Sequence, residues 1–88
     1  MKIVFGLLSS KDSAAAVEQF ARAVWPHAVL VHHDFSKFRD FDARAENIYL
    51  VDHYVQTKWG DWSLVEAALV LMRQALDRFE FDYFQIVA

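Results

Sequence analysis

Four short apolar runs alternate with two helix-periodic segments, and that alternation leaves this chain few folds to choose from. Ile3 to Leu8 is continuously apolar, as expected of a strand covered on both faces. Asp12 or Ser13 is then placed to cap a helix, in which Val17, Phe20, Ala21 and Val24 recur at i, i+3, i+4, i+7 until Pro26 ends it. Ala28 to His33 and Ile48 to Val51 read as the second and third strands. Between them Phe35, Phe38 and Phe41, at spacing three, suit a short helical turn. Ser63-Leu64-Val65-Glu66 fits the capping box that opens a second helix. Leu64, Val65, Ala68, Leu69, Met72, Leu76 and Phe79 are its expected buried face, and Tyr83 to Val87 is the fourth strand. This order implies an α/β fold: a partial Rossmann-like three-layer sandwich of about four mainly parallel strands with two helices.

At 88 residues the chain suffices for one small domain, and at 56% hydrophobic it is built to bury surface rather than to stay disordered. A net charge of -3, with no run of Lys or Arg, argues against a nucleic-acid partner. The absence of cysteine excludes disulfides and thiolate metal sites. The opening MKIVFGLLSSKD is too short for a transmembrane segment and lacks a cleavage site, so the expected compartment is cytoplasmic, in the absence of any signal. A buried-looking strand at Tyr83 to Val87, with nothing after it to turn the chain out, reads as the N-terminal part of something longer.

Ligands of parallel α/β sheets bind beyond the carboxyl ends of the strands, here Ser9-Ser10, His33-Asp34 and Asp52-His53. Asp34 could accept the imide N–H of uracil or a ribose hydroxyl. It is equally placed to terminate the strand and cap the next turn. Trp59, beside Gly60, offers a face for stacking a base, or Trp59 and Trp62 pack under the helix start. His32 and His33 point to opposite faces of a strand and cannot easily chelate one ion, so no metal is expected there. Asp40-Phe41-Asp42 has the D-x-D form of a cation site but reads as a solvated loop paired with Arg39 and Arg44. Asp52 lacks the acidic pair that a receiver phosphoacceptor needs, Ser9 and Ser10 lack a positioned base, and two glycines cannot make a phosphate loop.

On these residues the chain resembles the start of the core-2/I-branching β-1,6-N-acetylglucosaminyltransferases, a family related to the peptide O-xylosyltransferases. Leu8-Ser9-Ser10-Lys11-Asp12 is similar to the family's first turn, and Val31-His32-His33-Asp34 to its V-H-x-D. Its strongest motif, W-G-G-W-S-L-V-E-A, appears as Trp59 to Ala67, followed by a leucine-rich helix and Asp82-Tyr83-Phe84. The resemblance implies a GT-A-type fold and transfer of N-acetylglucosamine or xylose from a UDP-sugar to an acceptor hydroxyl. It further implies uridine contacts from Leu7, Leu8, Ser9, Asp34 and Trp59, and no metal cofactor. The family's histidine in the first turn is Ser10 here.

The basic residues that hold the diphosphate and the catalytic carboxylate lie downstream in that family. The expectation is therefore the UDP-binding portion of an inverting glycosyltransferase, without catalysis by these 88 residues alone. The alternative is a non-catalytic Rossmann-like interaction module, self-associating through Phe79, Phe81 and Phe84.

Overall fold

The computed structural model describes residues 1–10, 13–37, 39–58 and 61–87. The elements are β1 (Ile3–Ser9), α1 (Ala14–Val24), β2 (Ala28–His33), β3 (Ile48–Leu50), α2 (Ser63–Arg78) and β4 (Tyr83–Val87). The four strands form one sheet in the order β3-β2-β1-β4, every neighbouring pair parallel. This is the order of the first four strands of a doubly wound α/β sheet, as the alternation of elements implies.

Side-chain alternation divides the sheet between its two helices. Leu7, Val29 and Val31 face α1, where Val17 and Ala21 meet them with Phe41 from the β2–β3 connection. Val4 and Leu30 face α2, meeting Leu71 and Ala75. Gly6 lies on that second face, where an added Cβ would fall 2.5 Å from the Phe84 ring. The lack of a side chain in β1 is what lets Phe84 and α2 approach.

Ser13 caps α1, its hydroxyl accepting the Ala16 N–H at 3.1 Å. Asp12, the other candidate cap, lies outside the described residues. Asn47 ties the lower end of this layer together. It is buried and donates to the carbonyls of Ala21 (2.9 Å) and His27 (2.8 Å), joining α1 to the start of β2.

The second helix departs from expectation twice. Its cap position is Trp62, with no side-chain hydrogen bond, while Ser63 already lies inside the helix. The Ser63 hydroxyl instead accepts the Lys58 N–H at 2.9 Å, so the S-x-x-E pattern makes no capping box. The buried face is Ser63, Ala67, Leu71, Gln74 and Ala75; Val65, Leu69, Met72 and Leu76 are exposed. Small residues let the helix lie close to the sheet, so the larger ones turn outward. Trp62 is exposed too and does not pack under the helix start.

Elsewhere the differences are smaller. After β2 there is one turn, closed by Lys37 N–H to the Asp34 carbonyl at 3.2 Å, and residues 39–45 are irregular. Phe35 and Phe41 do not share a helical face; both pack on His33, and Phe38 lies outside the described residues. Phe79, Phe81 and Phe84 are partly buried against the α2-side core. Among the described residues no helix is long and apolar enough to cross a membrane.

Candidate functional site at the carboxyl edge of the sheet

Parallel pairing of β1 with β2 sets Ser9 opposite His33, and the ladder runs one step further as the Asp34 N–H donates to the Ser9 carbonyl at 2.8 Å. Ser9 and Asp34 therefore meet at one edge. Leu7 is buried toward α1, and Leu8, half-buried, packs on the α2 side. Ser9 and Asp34 are thus joined backbone to backbone, while the Leu7 and Leu8 side chains pack on opposite faces of the sheet; Trp59 lies outside the described residues.

Asp34 is fully buried, and both of its carboxylate oxygens are engaged. Oδ1 accepts from the Ser36 hydroxyl and, at 3.0 Å, from the Ser36 N–H. Oδ2 accepts from Thr57 through its N–H at 2.7 Å and its hydroxyl at 3.0 Å, with Lys37 Nζ at 4.0 Å. Burial alone would raise this pKa. The donations from Ser36 and Thr57 outweigh it and hold the group at about 2, so it is an anion. Asp34 thus caps the turn after β2 and also anchors a distant segment.

That segment is a strap. Val55 N–H donates to His32 Nε2 at 2.9 Å, Thr57 to Asp34, and Lys58 N–H to Ser63 Oγ at 2.9 Å. Successive donors fasten residues 55–58 across the end of β2. Because Nε2 accepts, the proton of neutral His32 sits on Nδ1, which is buried and has no hydrogen-bond partner among the described residues. Burial lowers the pKa of His32 below 6.5, which favours this neutral form.

His33 points to the opposite face. Its ring stacks on Phe41 at 4.0 Å between centroids, and Ser9 Oγ lies 2.9 Å from its Nδ1. The Ser9–His33 pair is buried on both sides, so it locks β1 to β2 and offers no exposed nucleophile. The two histidines are separated by the sheet, as strand alternation requires. Asp42 is exposed and accepts from Arg44 Nε at 2.9 Å, the ion pair expected of a solvated loop.

Beside the edge is a pocket of about 250 Å³, bordered by His33, Phe35, Val51, Asp52, His53 and Tyr54. Its size suits a single ring more than a whole ligand. A larger hollow of about 510 Å³ lies at the opposite edge, beside Lys2, Pro26 and Arg78, away from these residues.

The sequence reading missed Ser36, Thr57 and the acceptor role of His32. Asp34-Phe35-Ser36 carries the local pattern of an Asp-initiated turn and could have disclosed Ser36. Nothing local points to Thr57, whose partner is 23 residues away. No family model matches the chain, and neither the curated proteins nor the solved structures contain a match to it.

Proposed function

We propose that this chain is the nucleotide-binding portion of a sugar transferase that uses a UDP donor. One observation carries the reading. The sheet order puts the end of β1, Leu7 to Ser9, beside Asp34 at the carboxyl edge, where parallel sheets bind nucleotides, and Asp34 fastens Thr57, two residues before Trp59 in the sequence. The resemblance in Trp59 to Ala67 supplies the class of ligand.

In this reading Asp34 works by fixing the strap, since its carboxylate is committed to protein donors. The base stacks on Trp59 and meets the backbone of Leu7 to Ser9. The reaction served is inverting transfer. A carboxylate from elsewhere in the enzyme takes the acceptor's proton, the acceptor oxygen bonds to the anomeric carbon, and the sugar–phosphate bond breaks to release UDP. The resemblance implies a route that needs no metal.

A two-dimensional amide spectrum titrated with UDP, with AMP as control, tests this. Shifts at Ser9, at Asp34 to Ser36 and at the Trp59 indole with UDP alone are expected. A folded spectrum indifferent to UDP overturns the proposal.

A further inference from the structure

The outer side of α2 carries Val65, Leu69, Met72 and Leu76, exposed by 42%, 53%, 45% and 70%. At 3.6 residues per turn they form one continuous stripe, turned roughly 160° from the face that meets the sheet. Trp62, 65% exposed, prolongs it by a turn. Between Leu69, Met72, Arg73, Leu76 and Asp77 the surface is shallowly hollowed. An apolar stripe of this length on a helix that is otherwise well seated is an interaction surface.

We infer that its occupant is the α2 of a second copy of this chain, laid antiparallel. The stripe is its own complement. A two-fold axis at the level of the Val70–Leu71 peptide places Leu69 of one copy on Met72 of the other, and Val65 on Leu76, so four apolar layers close without a gap. The 4-3-4 spacing of these residues is that of a helix–helix seam.

The flanks fit the same arrangement. On the sheet side of the seam is Ala68, partly exposed and small enough to let the helices approach. On the outer side are Glu66 and Arg73, seven residues apart, and neither has an ion-pair partner among the described residues. Antiparallel pairing sets Glu66 of each copy beside Arg73 of the other, twice by symmetry. A parallel pairing would turn the Glu66–Arg73 flank of each copy toward the Ala68 flank of the other, leaving those charges unmatched, and is disfavoured. The contact is isologous and closes at two copies. Confined to one helix per protomer, it falls at the small end of specific interfaces, so the dimer dissociates on dilution.

Sedimentation velocity of the full chain over a dilution series tests this, with circular dichroism confirming the fold of each variant. A monomer–dimer equilibrium is expected for the unaltered chain, and loss of the dimer in Leu69→Glu. Glu66→Arg and Arg73→Glu should each weaken it about tenfold. Mixed in equal amounts, those two variants should associate more tightly than either alone, because every flank then meets the opposite charge. The inference is overturned by a folded chain that stays monomeric at every concentration, by a dimer that survives Leu69→Glu, or by a mixture no tighter than its components.

Discussion

Thr57 donates to Asp34 twice, from its N–H at 2.7 Å and its hydroxyl at 3.0 Å, across 23 residues of chain. The pair makes one buried carboxylate the fixing point of two segments, the turn after β2 and the strap over it. Hydrogen bonds to a charged acceptor contribute about 1.5–3 kcal/mol each when made, and a buried donor left unpaired costs a similar amount.

Asp34→Asn keeps the volume but presents an amide NH2 to at least one donor. It should lower stability by about 2–4 kcal/mol, read from the urea midpoint, and speed exchange of the Thr57 amide. Thr57→Val, which removes only the hydroxyl, should lose about 1 kcal/mol and leave the strap in place. An Asp34→Asn variant with an unchanged midpoint and a protected Thr57 amide would sink this account of the strap.

Acid should act through the same carboxylate. Its folded pKa, about 2, lies below the ordinary 3.8, so the stability it confers is complete above 3.8 and is lost as pH falls through about 2. His32 opens a separate window. Burial depresses its pKa, so the advantage of the neutral ring is complete above 6.5 and declines as pH drops below that value. Urea midpoints measured against pH should decline in both windows. Asp34→Asn should flatten the lower and His32→Gln the upper, and slopes identical to the unaltered chain would contradict the assignment.

Gly6→Ala should destabilise the sheet by about 1–3 kcal/mol by overpacking. The new methyl meets the Phe84 ring at 2.5 Å, with Leu71 Cδ1 at 3.5 Å behind it. Phe84→Leu in the same chain should recover part of the loss, a coupling that a double-mutant cycle of thermal midpoints would read. Strict additivity would place the strain elsewhere.

Ser63 and Glu66 separate two accounts of the α2 start. A capping box would make both substitutions to alanine costly. The observed Lys58–Ser63 hydrogen bond predicts a loss of about 1 kcal/mol for Ser63→Ala and within about 0.5 kcal/mol for Glu66→Ala. Chemical denaturation at low protein concentration, where the chain is monomeric, makes the comparison.

The strands and α1 were legible because their signals are local. β1 and β2 are apolar, Ser13 precedes a clean helical period, and Pro26 stops it. The face of α2 was misread because hydrophobicity ranks Leu69, Met72 and Leu76 above Ala67, Gln74 and Ala75 as core residues. Close approach to a sheet rewards small size instead, and a second apolar stripe has the same period as the first. At the candidate site Asp34 stood out by its place after an apolar strand. Its partner Thr57 did not, since a hydroxyl in an irregular segment has no period to betray it. Asn47 went unnoticed for the same reason, its two carbonyl partners being set by tertiary structure alone.

The position of β4 beside β1 governs how the molecule must assemble. The Lys2 N–H reaches the Asp82 carboxylate at 2.8 Å, closing a loop across 80 residues, and β1 gains its second neighbour only there. During synthesis the first strand is therefore made long before its flank can be covered. Pairing of β1 with β2 around α1 is comparatively local, whereas pairing of β1 with β4 closes a longer loop, one that the joining of β1, β2 and β3 shortens. Until β4 docks, β1 offers an open edge to any other strand in reach.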